Sequence, residues 1–279
     1  MSDTDPLARR AARPRHYLMC SPTYFEVTYS INPWMDPDRP VDGERALAQW
    51  QWLHETFLEL GHKVGLADPV PGLPDMVFTA NAATIVDGRV LVARFRNRER
   101  MAETPAFLEW FRSHGYPDAR PAAKINEGEG DFLVTRSRVL AGQGMRSEVS
   151  AHWEAEQFLG RTVVGLELVD PRFYHLDTAL SVLDDETDEI MYYPPAFSAT
   201  SRALLAELYP DAILADEADA VAFGLNAVSD GYNVVLPAAA AGLAGRLRER
   251  GFRPVGVDMS ELLKAGGGPK CCSLEIRDL

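Results

Sequence analysis

The feature that most constrains this chain is a supersecondary unit that recurs along it. Residues 76–95, MVFTANAATIVDGRVLVARF, read as two strands joined at Asp87-Gly88, a dipeptide that favours a tight hairpin turn. Residues 104–115, TPAFLEWFRSHG, then carry apolar side chains at helical spacing and end in Gly115. The succession returns as hairpin 131–144 with helix 147–160, hairpin 176–197 with helix 198–210, and hairpin 227–237 with helix 238–251. A first strand at 16–22 and a helix at 43–64, stopping at Gly61, precede them. The unit of strand, strand, helix and short strand repeats every 45 to 55 residues with little identity. That period points to a modular or closed α/β architecture and away from a Rossmann sheet; four or five units about an axis make an α/β propeller. No linker separates the units, so one domain over 15–279 is expected, with the Arg/Pro-rich residues 1–14 as a flexible arm. Repeats place their loops on a common face, which lets residues distant in sequence meet at one end of the axis.

Bulk composition removes several classes of partner. The 279 residues carry a net charge of -13, with no basic stripe to offset it, which argues against nucleic acid and is compatible with a small cationic substrate. No segment approaches the roughly 18 apolar residues of a membrane span, and the N-terminus does not read as a signal peptide. Three cysteines, an odd and small number, argue for a reducing compartment, hence a cytoplasmic setting.

Chemistry-bearing residues concentrate at a few places. In GGGPKCCSLEI (266–276), Cys271 and Cys272 are adjacent, which nearly excludes a disulfide and does not suit a metal site. Core packing remains, or one reactive thiol on a flexible loop. HLDT gives His175 and Asp177, which share a face if the segment is a strand. NEGEGDF gives Glu127, Glu129 and Asp131 in a glycine-rich approach to a strand, and PDMVFTAN gives Asp75 and Asn81 around an apolar strand start. Thiol, imidazole and carboxylates are the parts of nucleophilic thiol catalysis. Singly, each also suits a structural role: buried cysteine, satisfied histidine, turn carboxylate.

The order PDMVFTAN, EGEGD, GMRS, HLDT, GGGPKC resembles the guanidine-modifying enzymes, the pentein or amidinotransferase superfamily, from about residue 16 to the last strand. The resemblance implies a five-bladed α/β propeller and a cysteine-dependent hydrolase needing no metal or organic cofactor. By motif, Cys271 matches the nucleophile and His175 the general acid/base. Glu127 matches the carboxylate that grips the guanidinium, with Glu129 the alternative because one residue is inserted in the usual E-G-G-D. Asp75 and Phe78 match substrate-contacting positions, and Arg146 matches an arginine that holds the substrate's α-carboxylate. Arg100 is a second such arginine. Asp177 orients the imidazole or binds a substrate N–H. Asn32 lies in a long aromatic segment, 19–40, that either covers the site or packs as a surface loop. Asn226 of GLNAVSDG is read as a turn residue, and Cys272 as a small hydrophobe pointing the other way along the last strand.

The implied reaction is thiolate attack on the guanidine carbon, departure of a nitrogen protonated by His175, and hydrolysis of the covalent adduct. The substrate class is arginine or an Nω-methylated arginine. INPWM and FTAN, ending in Asn81, resemble a subgroup labelled dimethylargininase, amidinotransferase-like or arginine dihydrolase, in which the asparagine accompanies a second hydrolysis to ornithine. The alternatives are an amidinotransferase and a non-catalytic binding module on the same fold. Many members are dimers, so by analogy a homodimer is the oligomer to test.

Overall fold

A computed structural model describes residues 10–277 of the chain. β1 (His16–Cys20) leads through an irregular segment into α1 (Gly43–Glu59), which returns the chain to β2 (Lys63–Ala67), parallel to β1. Asp42 caps α1 by accepting from the Arg45 N–H at 3.0 Å, and the helix buries Ala46, Trp50, Leu53 and Phe57 along one stripe.

The second unit is β3 (Ala83–Val86), β4 (Arg89–Val92), α2 (Glu103–Ser113) and β5 (Arg120–Pro121). Asp87 and Gly88 both have positive φ, 49° and 72°, as the expected hairpin turn requires. The third is β6 (Phe132–Val134), β7 (Val139–Gln143), α3 (Val149–Leu159) and β8 (Val163–Glu167). The fourth is β9 (Leu180–Asp184), β10 (Glu189–Tyr192), α4 (Ala199–Leu208) and β11 (Ile213–Leu214). A short α5 (Glu217–Val221) precedes the fifth: β12 (Val228–Ser229), β13 (Asn233–Pro237), α6 (Ala241–Glu249) and β14 (Arg253–Val257). β15 (Leu274–Glu275) ends the set.

Every unit pairs in the same way. The first strand is antiparallel to the second, and the helix carries the chain over so that the third strand lies parallel to the second. The exception proves informative: β1 takes its antiparallel partner from the other end of the chain, β15, so N- and C-terminal segments share one sheet. Five three-stranded sheets result. Their second strands are apolar and buried, as expected of strands covered on both faces.

Four expectations need correction. Residues 1–9 of the expected arm lie outside the described residues, but residues 10–14 are docked. Arg10 stacks on Phe252 and pairs with Glu189, and Arg13 pairs with Asp184 and Asp185. The apolar run before β3 is not strand but two 3-10 turns, Pro74–Val77 and Thr79–Ala82, because Pro74 cannot donate to a ladder. The HLDT segment likewise forms a 3-10 turn, Leu176–Thr178, so His175 and Asp177 do not alternate along a strand. Cys271 and Cys272 occupy the turn before β15 rather than the strand itself.

These departures share a location. Each innermost strand, β3, β6, β9, β12 and β15, is entered through a turn. The turn Thr79–Ala82 lies against β15 and against Gly128–Gly130, which lies against Leu176–Thr178. β9 sits beside both β6 and β12. The entry turns are thereby gathered at one end of the sheets.

Candidate active site

The turn before β15 presents Cys271, 2% exposed. Its Sγ donates to Asp177 Oδ2 at 3.4 Å and accepts from Asn226 Nδ2 at 3.1 Å. Asn226 Oδ1 accepts from the Cys271 backbone N–H, also at 3.1 Å. The glycines ahead of the cysteine allow close approach. A Cβ on Gly267 would fall 2.1 Å from the Phe78 ring, and one on Gly268 would fall 2.8 Å from Asn226 Oδ1. Burial, then the neighbouring Asp177 carboxylate, push the Cys271 thiol well above its ordinary pKa. Burial raises Asp177 to about 7 against the opposing pull of Lys270 and the Cys271 hydrogen bond.

A second group is built on Glu127, whose side chain is fully buried. Its Oε2 accepts from His175 Nε2 and from Arg146 NH1, both at 2.7 Å, and Oε1 accepts from the Arg96 N–H at 3.2 Å. Against the cost of burial, Arg146 and His175 hold Glu127 well below the usual carboxylate range. The expected partner of the imidazole, Asp177, is replaced in that role by Glu127. Arg146 reaches further to the Ile31 carbonyl at 3.0 Å and lies over the Tyr174 ring.

The third group is centred on Arg100. It grips Glu103 with two bonds of 2.8 Å, donates to Asn81 Oδ1 at 2.7 Å, and lies 3.8 Å from Asp75 Oδ2. Asn81 therefore turns its Nδ2 the other way, toward the Glu127 carbonyl at 3.4 Å. A Cβ on Gly130 would fall 2.2 Å from that Nδ2 and 3.2 Å from the His175 ring, so the second and third groups adjoin. Asp75 accepts from the Tyr29 hydroxyl at 2.8 Å, and burial raises its pKa.

Glu129 does not join them. Its side chain turns to β15, where it receives Lys270 Nζ, Arg277 and the Glu275 N–H. The inserted residue in EGEGD thus separates a site carboxylate, Glu127, from a framework one. Cys272 packs with Tyr17 and Met19 in an apolar cluster, and burial raises its thiol. The segment 21–42 lies over the groups through Tyr29, Ile31 and Asn32. The Asn32 side chain is spent on the Ala265 carbonyl at 3.0 Å and the Trp34 N–H at 2.9 Å.

Among the described residues, Asp75 Oδ1, Asp177 Oδ1 and His175 Nδ1 are buried without a hydrogen-bond partner. Such atoms are uncommon in native interiors. Two acceptors and an imidazole nitrogen, one of the acceptors on the carboxylate that bonds the thiol, suit a planar ligand rich in N–H donors.

No protein-family model matches the chain. It is 58% identical over 271 residues, 96% of its length, to a dimethylarginine dimethylaminohydrolase of Mycobacterium tuberculosis, of which it covers 88%. The chain belongs to the guanidine-modifying enzymes of the pentein superfamily. It is also 39% identical to the bifunctional arginine dihydrolase/ornithine cyclodeaminase ArgZ of Synechocystis, covering 94% of this chain but 37% of that protein. The N-terminal domain of ArgZ, an arginine dihydrolase, has been solved with substrate, with product and covalently joined to a reaction intermediate. It superposes with a TM-score of 0.90 at 37% identity, over 95% of this chain and 98% of that domain. The five sheets accordingly correspond to the blades of the pentein fold, and this pentein is a hydrolase acting on guanidino C–N bonds.

Sequence reasoning passed over three residues of the pentein site. Asn226, read as a turn residue, touches the thiol. Glu103 anchors Arg100, and Tyr29 anchors Asp75. For Asn226 a signal existed. Asn81, Glu127, Asp177, Asn226 and Cys271 each stand two to five residues before an innermost strand. Aligning the repeats on those strands would have singled it out.

Proposed function

We propose that this enzyme hydrolyses the guanidine group of arginine or an Nω-methylated arginine through a covalent adduct on Cys271. The observation that carries the reading is the Asp177 carboxylate, whose Oδ2 bonds the Cys271 thiol while its Oδ1 is buried without a partner, as are Asp75 Oδ1 and His175 Nδ1 in the two other groups. A guanidinium edge donating to Asp177 Oδ1 brings its central carbon to Cys271 Sγ, because Oδ2 of the same carboxylate already bonds that sulfur. Glu127 grips a second N–H edge through Oε1, which takes only one backbone donor. The substrate's positive charge lowers the thiol's pKa on binding, so the S–H proton leaves by way of Asp177 Oδ2, which already accepts it, and is regained when the sulfur–carbon bond breaks. The sulfur–carbon bond forms as a carbon–nitrogen bond breaks, and His175 protonates the departing nitrogen. His175 then takes a proton from water as it attacks the adduct, the sulfur–carbon bond breaks, and a ureido product leaves. Arg146, beside the Ile31 carbonyl of the segment 21–42, serves the amino-acid end of the substrate in this reading, whereas Asn32 has both ends of its side chain engaged. All three cysteines are unpaired, which supports a cytoplasmic setting.

A second hydrolysis, from the ureido product to ornithine, is favoured by the orientation of Asn81. Arg100 occupies its carbonyl oxygen, so the amide turns its N–H groups toward the Glu127 carbonyl and the Gly130 backbone that also adjoins His175. That donor suits a ureido oxygen, which a carboxylate would repel. The deciding experiment incubates the enzyme with arginine, dimethylarginine or agmatine and measures citrulline, ornithine and ammonia. Turnover that survives Cys271→Ala, or no turnover of any guanidine, overturns the proposal.

A further inference from the structure

The thiol has two side-chain hydrogen-bond partners, Asp177 and Asn226, and the proposed chemistry uses only the first. Asn226 lies in the loop before β12, fully buried. Each of its amide atoms has an assigned bond. Oδ1 accepts from the Cys271 N–H at 3.1 Å, while Nδ2 donates to the Asp177 carbonyl at 3.2 Å and to Cys271 Sγ at 3.1 Å. Rotating the amide by half a turn would oppose oxygen to the Asp177 carbonyl and N–H to the Cys271 N–H, so one orientation is enforced. The amide thus spans the nucleophile from its backbone nitrogen to its sulfur. The glycine at 268 leaves room for this approach, and the Lys270 N–H bonds the Asn226 carbonyl at 3.4 Å.

We propose that Asn226 is a catalytic residue of this enzyme: its amide N–H stabilises the Cys271 thiolate and aims its lone pair at the guanidine carbon. The inference rests on the reading of Cys271 as nucleophile. The titratable groups facing the sulfur are Asp177, Cys272 and Tyr174, with Lys270 adjacent in the chain. Asp177 and the tyrosine hydroxyl, when ionised, oppose a negative sulfur. Beside the Gly268 backbone, Asn226 supplies the neutral side-chain donor that remains bonded when the S–H proton leaves, because its N–H points at sulfur. A hydrogen bond to a charged group exceeds one to a neutral group, so the donor favours the thiolate over the thiol.

The test is the pH dependence of Cys271 alkylation by iodoacetamide, mapped by mass spectrometry, together with kcat and KM, in wild type, Asn226→Asp and Asn226→Ala. Asn226→Asp keeps the shape and the acceptor for the Cys271 N–H but removes the donor. The expected result in both variants is an alkylation profile displaced to higher pH by about 1 to 2 units, with kcat at neutral pH down about 10- to 100-fold and KM little changed. An unchanged profile in folded Asn226→Asp overturns the proposal. Failure of both variants to fold does so too, since it assigns Asn226 to the framework. Alkylation of Cys271 that leaves wild-type turnover intact sinks the nucleophile reading separately.

Discussion

Glu127→Gln and Glu129→Gln each remove one buried charge, two residues apart, and should fail in different ways. Glu129 faces Lys270 at 2.5 Å and Arg277, whose side chains are 12% and 19% exposed. Neutralising it leaves two cations against an amide. Arg277 keeps Glu275 at 2.7 Å and Lys270 keeps the Ser273 carbonyl at 3.0 Å, so the loss should sit near the low end for a broken buried pair, about 3 kcal/mol. At about 2 to 4 °C per kcal/mol for a chain of this size class, Tm falls by about 6 to 12 °C. Glu129 touches neither Cys271 nor His175, so kcat/KM well below Tm should stay within about tenfold of wild type. Glu127 instead supports two charge-assisted bonds, to Arg146 and His175. At about 1.5 to 3 kcal/mol each, their weakening and the lost grip on substrate predict a kcat/KM loss of about 10²- to 10⁴-fold. Thermal unfolding and steady-state turnover on one substrate measure both. Equal loss of turnover in the two variants, at a temperature where both are folded, would refute the separation of site from framework.

Cys271→Ala should abolish turnover, while Cys272→Ala should retain it and cost about 1 to 2 kcal/mol of stability for the lost apolar contacts; denaturant unfolding and turnover check both. Asn81→Asp should halt arginine at citrulline, and an unchanged ratio of ornithine to citrulline would sink the donor role of the amide. Asp177 binds its proton more tightly in the folded state, about 7 against 3.8, so its contribution is full below pH 3.8 and is lost as pH rises toward 7. Asp177→Asn should therefore gain stability relative to wild type across that window, in denaturant unfolding at stepped pH; the opposite slope would show that the carboxyl is ionised more easily than its burial implies.

The architecture was legible because each unit repeats the same alternation, and four of the five unit helices are followed by a positive-φ glycine, signals that are local. Asp87-Gly88 and Gly160 announce a turn and a helix end whatever surrounds them. The segments that enter the innermost strands were misread as strand for a physical reason. MVFTAN is mostly apolar and HLDT leads directly into the apolar β9, so both read as strand, but each forms a buried 3-10 turn. The motif residues Cys271, His175 and Glu127 came from order along the chain. Their partners did not, because which carboxylate faces which base depends on turn geometry. His175 found Glu127, 48 residues away, rather than Asp177, two residues away.

That exchange of partners changes the chemistry available to the site. Were Asp177 bound to His175, one carboxylate would be committed to the base and the thiol would face only an amide. With Glu127 on the imidazole, Asp177 has one oxygen on the Cys271 thiol and the other unpartnered, which in the proposed mechanism takes the incoming N–H. In that mechanism one carboxylate serves both positioning and nucleophile, and the distance from sulfur to guanidine carbon would be set by the turn that carries Asp177. The propeller makes this division possible because the two acids enter from different blades, Glu127 before β6 and Asp177 before β9. Neither must bend away from its own strand to meet its partner.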